Sequence, residues 1–259
     1  LSGKPAFIGK IKDDNLGKSF SKSLADNKVF YKTEPILEGP GTARCFIFVT
    51  PDAQRTMNTY IGACSLLSPK DIDEELVKNS KITYLEGYCW EEQLAKESLI
   101  KAAEIAHKAD NKVSLTLSDP FCVERHRDEF KDLVKKHIDI LFANEIEAKK
   151  LCQTENFDES IKEISEITEI AAITKSEKGA EICNGKEVVK IEPKVFGKVK
   201  DTTGAGDLFA AGFLYGLSKK FSILKSGNIA SISAGEIISH FGARPEINLS
   251  DLIQKELKD

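Results

Sequence analysis

The stretch DTTGAGD occupies residues 201–207 and leads directly into the apolar run LFAAGFLYGL at residues 208–217. The second stretch combines apolar and small residues, which is typical of a helix packed tightly inside a protein. The first stretch then forms a small-residue loop at the N-terminus of that helix, where free backbone N–H groups and the helix dipole attract an anion. The pattern predicts an anion site in this loop.

Asp207 closes the loop and has a different chemistry from its neighbours. Gly204, Ala205 and Gly206 have little or no side chain, so a phosphate can approach their backbone closely. A carboxylate repels phosphate, but it accepts the proton of an attacking hydroxyl group well. We therefore predict that Asp207 is a catalytic base. In the alternative interpretation the small residues only permit close helix packing, and Asp207 is an N-cap.

Outward from this loop, apolar runs of strand length alternate with segments of helical period. The predicted strands are residues 81–86, 112–117, 138–142 and 170–174. The predicted helices are residues 91–109, 127–137, 145–153 and 159–168. Strands that alternate with helices indicate βαβ crossovers and a largely parallel sheet covered on both faces, and therefore an α/β fold.

Three shorter β-rich regions break this rhythm. Residues 44–50 and 55–61 flank the turn sequence PDAQ at 51–54, and we predict a small accessory sheet over the active site from about residue 40 to residue 62. Residues 181–183 and 186–191 flank Asn184-Gly185, which predicts an antiparallel hairpin with a type I′ turn. Residues 6–11 read as another short strand.

The composition narrows the class of protein. Of the 259 residues, 41% are hydrophobic and 30% are charged, and the net charge of −4 is not gathered into a tail. The absence of a basic run disfavours nucleic acid and membrane surfaces as partners, and the apolar runs are too short to span a bilayer. We expect a soluble, cytoplasmic protein that acts on a small molecule.

The segment DTTGAGDLFAAGF resembles the C-terminal signature of the ribokinase (PfkB) family of carbohydrate and nucleoside kinases. Residues 7–17, NEIE at 144–147, TKSEKG at 174–179 and HFGA at 240–243 resemble further family segments in the same order. The resemblance implies one kinase domain over residues 1–259, with a three-layer, doubly wound, mostly parallel sheet and a small β lid. It also implies ATP and Mg²⁺, with K⁺ as a further expected cation.

The resemblance implies roles for the loop residues and for the nucleotide-binding segment. Asp207 would contact the substrate and act as the base, and residues 204–206 would form an anion hole for the transferred phosphoryl group. Thr174, Ser176 and Gly179 would line the nucleotide. Ser176 stands where the family usually has a glycine, so a less free backbone is expected there.

Five further residues receive roles from the same resemblance. Asn144 and Glu147 would help to organise Mg²⁺ and the ATP phosphates through water, with Asn144 also counted among the nucleotide-binding residues. Asp201 and Thr203 match positions that bind a monovalent cation, although both residues also suit a structured turn. Glu86 matches a contact to a substrate hydroxyl, and a capping or hinge carboxylate is the alternative.

The resemblance leaves out part of the family's pattern. The family's N-terminal strand with its substrate-binding Asp, and its Gly-Gly-x-x-Ala-Asn motif, would lie before Leu1. The chain is therefore expected to be a fragment or a processed form that lacks a central strand and that folds poorly or binds its acceptor weakly.

The predicted activity is transfer of phosphate from ATP to a hydroxyl group of a nucleoside. Adenosine is favoured because residues 42–63 and YLEGY at 84–88 look like bacterial adenosine kinase-like proteins. A sugar kinase of the ribose or fructose type and a non-catalytic nucleotide-binding module are the alternatives. A homodimer through the lid sheet, around Pro51, is a further expectation.

Overall fold

The computed structural model describes residues 1, 3–185 and 187–257, and the elements below lie within them. The strands are β1 (Ala6–Phe7), β2 (Phe30–Tyr31), β3 (Arg44–Val49), β4 (Arg55–Tyr60), β5 (Ile82–Glu86), β6 (Lys112–Thr116), β7 (Ile140–Asn144), β8 (Ile170–Thr174), β9 (Ala180–Asn184) and β10 (Glu187–Ile191). The helices are α1 (Asn15–Asp26), α2 (Glu74–Lys78), α3 (Gln93–Lys108), α4 (Pro120–Arg125), α5 (Arg127–His137), α6 (Glu145–Cys152), α7 (Phe157–Ser165), α8 (Ala205–Ser218), α9 (Ile223–Ile237) and α10 (Leu249–Glu256). None of the helices in these described ranges combines the length and the apolar character needed to cross a membrane.

The central sheet has six strands in the order β10-β9-β8-β7-β6-β5. Strands β5 to β8 run parallel, whereas β9 is antiparallel to both β8 and β10. The predicted α/β class, the mostly parallel sheet and the antiparallel edge are therefore confirmed.

Helices cover both faces of this sheet because successive strand residues point to opposite sides. On one face Leu141 and Ala143 of β7 join the core formed with α3, α5, α6 and α7. On the other face Ile140 and Phe142 pack with residues of α8 and α9, and the ring centroids of Phe142 and Phe213 lie 5.9 Å apart. The result is a three-layer structure.

Strands β3 and β4 form a two-stranded antiparallel sheet, here called the lid, within the region predicted as an accessory sheet. Its two connections to the body meet at one point, where the Ala63 N–H donates to the Gly41 carbonyl at 2.9 Å. A Cβ atom on Gly62 would lie 2.2 Å from that carbonyl, so only glycine fits there. Beside it the Asp14 carboxylate accepts hydrogen bonds from the Thr42 N–H and hydroxyl at 2.9 and 2.7 Å.

Several predicted boundaries need correction. The strand predicted at 138–142 lies at 140–144. The strand predicted at 6–11 is reduced to β1 and a single parallel bridge between Lys12 and Ile36. In the hairpin, Asn184 pairs with Glu187, so Asn184 belongs to β9 and not to the turn. Residue Lys186, assigned to a strand by the sequence, lies outside the described residues.

Candidate active site

Three predicted site residues lie at one edge of the central sheet. Glu86, Asn144 and Thr174 are the last residues of β5, β7 and β8, and these parallel strands end on the same side. Asn144 is the direct register partner of Thr174. The carboxyl edge of a parallel sheet is where α/β proteins bind their ligands. A cavity of about 390 Å³ between α2 and α3 is lined by other residues, so it is a separate feature.

The N-terminus of α8 is left open for a ligand. Helix α8 begins at Ala205, so Gly206 and Asp207 belong to its first turn and not to the preceding loop as the sequence suggested. No side chain caps this helix, whereas Asp14, Asn144 and Ser222 cap α1, α6 and α9. The first helical bond is from the Leu208 N–H to the Gly204 carbonyl at 2.9 Å, and the Ala205 N–H donates to the Thr202 carbonyl at 3.2 Å. The amides of Gly206 and Asp207 are therefore the ones available to an anion.

Gly204 and Gly206 serve this opening in different ways. Gly204 has a φ of +82°, and a Cβ atom there would lie 3.3 Å from Ala243. A side chain would therefore strain the backbone and crowd the neighbouring segment. Apart from the neighbouring residues and nearby backbone of its own helix, no described atom lies within 4 Å of the position that a Cβ atom on Gly206 would take. The surroundings of Gly206 thus have room for a phosphate group.

Asp207 shares its electrostatic surroundings with residues from two other elements. Partial removal from water raises the pKa of Asp207, while the nearby positive charge of Arg55 on β4 opposes the rise. Removal from water and the charge of Asp207 together raise the pKa of Glu86. The side chains of Asp207 and Glu86 still reach solvent, so they belong to an open cleft and not to the core. The lid, β5 and α8 therefore converge on this carboxylate.

Asn144 and Glu147 form a closed capping box at the start of α6. The two Glu147 carboxylate oxygens accept hydrogen bonds from the Asn144 backbone N–H at 2.9 Å and side-chain amide at 2.7 Å. The Asn144 side-chain oxygen accepts from the Glu147 N–H at 2.9 Å. Glu147 is only 4% exposed, and burial raises its pKa to about 7, with a further contribution from the charge of Asp119. Because both oxygens are engaged, direct coordination of a cation by Glu147 fits poorly, and an indirect role fits better.

Asp119 is a carboxylate at the same sheet edge that the sequence interpretation missed. It follows β6, caps α4 with one oxygen that accepts from the Phe121 and Cys122 N–H groups at 2.8 and 3.0 Å, and is half-buried. A Mg²⁺ ion prefers carboxylate and water oxygens, so Asp119 suits this ion better than the engaged Glu147. The sequence signal that could have identified Asp119 as a site residue is its position just after a predicted strand.

The segment from Thr174 to Gly179 is a tight loop closed by a hydrogen bond from the Lys175 N–H to the Gly179 carbonyl at 2.7 Å. Ser176 has a φ of +51°, so it adopts the left-handed conformation that glycine adopts at lower cost. A Cβ atom on Gly179 would lie 2.0 Å from the Ile191 carbonyl of β10. Gly179 is therefore required for packing, whatever else it contacts.

Asp201 braces the loop that precedes α8. One of its oxygens accepts from the Thr203 N–H at 2.9 Å and from the Thr203 hydroxyl at 2.6 Å, and the other accepts from the Gly242 N–H at 3.1 Å. Burial alone would raise the pKa of Asp201, but these hydrogen bonds hold it below its ordinary value. Both residues are buried, and the contacts fit the structured-turn alternative stated above.

Arg55 is the second residue that sequence reasoning missed, and no signal in the sequence could have identified it. It lies on β4 of the lid, about 150 residues before Asp207, a separation that follows from the two residue numbers. Its approach to the site depends on how the lid folds over the body, and nothing in the local pattern around Arg55 reports that.

Known proteins share this arrangement of strands and helices. An adenosine kinase from Sinorhizobium meliloti matches with a TM-score of 0.97 and 41% identity over 99% of this chain and 79% of its own. A probable sugar kinase protein from Rhizobium etli CFN 42 matches with a TM-score of 0.96 and 43% identity over 98% and 78% of the two chains. A candidate ribokinase II from E. coli, solved with ATP and Mg²⁺, has a TM-score of 0.90 at 18% identity over 100% and 85%.

These likenesses and the site define the class as a ribokinase-like kinase with a three-layer α/β fold. The model of the pfkB family of carbohydrate kinases matches residues 1–248, and the chain belongs to that family. The predicted family and the predicted phosphotransferase class are thereby confirmed.

Proposed function

We propose that the protein transfers the terminal phosphate of ATP to a hydroxyl group of a nucleoside, with adenosine as the favoured acceptor. The observation that carries the proposal is the uncapped N-terminus of α8, which has a carboxylate, Asp207, in its first turn. The 41% identity to a protein named as an adenosine kinase supports the choice of acceptor. We further expect the protein to act in the cytoplasm.

Asp207 accepts the proton of the attacking hydroxyl group. In its ionised form it removes this proton as the hydroxyl oxygen bonds to the γ-phosphorus and the bond from that phosphorus to the ADP oxygen breaks, so that ADP leaves. The amides of Gly206 and Asp207 donate to the oxygens of the transferred group, on which negative charge accumulates. Glu86, at the end of β5, lies on the acceptor side and is suited to hold a second hydroxyl of the acceptor. Arg55 closes over Asp207 from the lid and keeps its carboxylate ionised at lower pH.

The nucleotide lies, in this proposal, along the ends of β7 and β8. Thr174 and Ser176 line it, and Gly179 holds the loop in the closed form described above. Mg²⁺ supplies charge neutralisation for the phosphates when bound. Asp119 would hold the ion directly or through water. Asn144 and Glu147 would contact it only indirectly, through water. A monovalent cation at Asp201 and Thr203 stays a prediction, since the contacts of both residues already suit a brace.

The acceptor is tested by offering adenosine, ribose and fructose in a coupled assay of ADP release. The assay uses the 259-residue chain and also the product of the complete reading frame that encodes it, each with Mg²⁺ present. We expect the highest kcat/KM with adenosine. A preference for ribose or fructose would support a sugar kinase instead, which the name of the Rhizobium etli relative also favours. If neither protein releases ADP with any of the three acceptors, the proposal is wrong.

A further inference from the structure

The segment that follows α9, residues 238–246, packs against the loop that precedes α8. The Lys200 N–H donates to the Ile238 carbonyl at 2.9 Å, and the Gly242 N–H donates to the Asp201 carboxylate at 3.1 Å. Ala243 lies against Gly204, the N-cap residue of α8. The position of the open helix end therefore depends on how the 238–246 segment is held.

A buried polar pair holds this segment. Glu236, near the end of α9, accepts hydrogen bonds with one oxygen from the His240 ring Nε2 at 3.2 Å and from the Glu246 N–H at 3.0 Å. Glu236 is 3% exposed and His240 is 7% exposed. The pair thus joins the end of α9 to both ends of the turn that carries Gly242 and Ala243.

This arrangement is costly for a purely structural link. The second Glu236 oxygen is buried and has no hydrogen-bond partner among the residues that the structure describes. A buried carboxylate with an unsatisfied oxygen destabilises the folded state, and apolar residues of similar volume commonly pack such a site as well or better. The polar pair instead fixes the orientation of the turn, because hydrogen bonds have a preferred geometry and two of them meet at one Glu236 oxygen.

We propose that Glu236 and His240 are positioning residues for phosphoryl transfer, which act through Gly242, Asp201 and Thr203 to place the N-terminus of α8. The inference rests on the proposed function for its catalytic consequence, but its geometric part stands separately. Displacement of catalytic groups by about 1 Å lowers rates by roughly a hundredfold. Loss of the pair should therefore lower kcat ten- to hundredfold and leave the KM for ATP within about threefold.

The test uses four variants and a control from the same helix. Glu236→Ala and His240→Leu remove the link, whereas Glu236→Gln keeps an acceptor oxygen and His240→Gln keeps a donor that reaches Glu236. Ser233→Ala is the control, because the Ser233 hydroxyl is buried and bonds only within α9, to the Ile229 carbonyl at 2.8 Å. All five are compared with the wild-type chain by kinetics and by NMR of ¹⁵N-glycine-labelled protein, in which 17 glycines report.

In Glu236→Ala and His240→Leu we expect the amide resonances of Gly204, Gly206 and Gly242 to shift, while those of Gly216 and Gly227 stay in place. The two glutamine variants should restore both the resonances and kcat to within about threefold of wild type. Unshifted resonances, or a loss of kcat no greater than in Ser233→Ala, would overturn the inference. If Glu236→Ala does not fold, His240→Leu decides in the same way. If wild-type protein has no kinase activity, the proposed function fails, and the NMR comparison still decides whether the pair positions the loop.

Discussion

Asp207 is the residue on which the chemistry depends. Replacement by asparagine removes the proton acceptor and leaves the size of the side chain nearly unchanged. We expect kcat to fall by roughly 10²- to 10⁴-fold, with the Kd for ATP within a few-fold of wild type. Kinetics and calorimetric ATP titration measure both. Asp128→Asn, in the first turn of α5, is the matched control and should retain full activity. Turnover of Asp207→Asn within tenfold of wild type would contradict the role of base.

Arg55 should set the lower end of the pH range of activity. The base works only when it is ionised, so activity falls as the pH drops through the pKa of Asp207. Arg55 opposes the rise of that pKa, and Arg55→Met should therefore move the acidic limb of kcat/KM to higher pH. The control is Arg44→Met, which removes a different arginine from the same lid. The Arg44 guanidinium lies over the Tyr60 ring, 4.6 Å from its centroid, so its loss tests for a general effect of removing a lid charge. An equal displacement of the limb in both variants would count against this account.

Glu147 should make stability depend on pH. Its pKa is raised from 4.5 to about 7 in the folded chain, so the folded state binds the proton more tightly than the unfolded state. The stabilising contribution is present at low pH and is lost as the pH rises from about 5 to about 7, by up to roughly 3 kcal/mol. Denaturant unfolding of wild type and Glu147→Gln across this range should give free energies of unfolding whose difference changes with pH. A constant difference would show that Glu147 does not titrate there.

At the scale of the element, substitutions at Gly204 and Gly206, at the start of α8, should distinguish effects on stability from effects on activity. Gly204→Ala places a side chain at φ +82° and 3.3 Å from Ala243, so thermal stability should fall. Gly206→Ala adds a methyl group to open space inside a helix, which should leave stability unchanged or raise it by up to about 1 kcal/mol. That methyl group enters the space proposed for the phosphate, and we expect kcat/KM to fall at least tenfold. A fully active Gly206→Ala protein would argue against an anion hole at this position.

The elements differ in how far the sequence predicted them. Helix α5 and strand β8 were predicted residue for residue, because α5 has apolar residues at helical spacing and β8 is a short continuous apolar run. Helix α9 had no such signal, since ten of its 15 residues are buried, including Ser231, Ser233 and Gly235, and a helix buried on most sides has no polar stripe. The Asp207 loop was recognisable because its small residues are contiguous. Arg55 and the Glu236–His240 pair depend on tertiary packing, which no local pattern encodes.

At the scale of the whole molecule, the lid presents an apolar face to solvent. Phe46 and Phe48 are two residues apart on β3, so they share a face, and they are 63% and 64% exposed. We expect this face to join two copies of the chain, since exposed apolar patches mark interfaces. Sedimentation velocity should give twice the mass of one chain for wild type and the mass of one chain for the double variant Phe46→Ser/Phe48→Ser. Val188→Ser, on the exposed edge strand β10, should remain dimeric. A wild-type protein that sediments as one copy would refute the dimer.

The contact between the two lid connections at Gly41 and Gly62 determines how the lid is attached to the body. Its tip, residues 50–54, is closed by its own hydrogen bonds, from the Ala53 N–H to the Thr50 carbonyl at 2.9 Å and from the Thr50 N–H to the Gln54 carbonyl at 3.0 Å. Because the base is held through Asp14 and Thr42, we expect the hairpin to move, where it moves at all, as one unit relative to the residues around Gly41 and Gly62. A fluorescent label at the tip would test this expectation without disturbing the hydrogen bonds at the base.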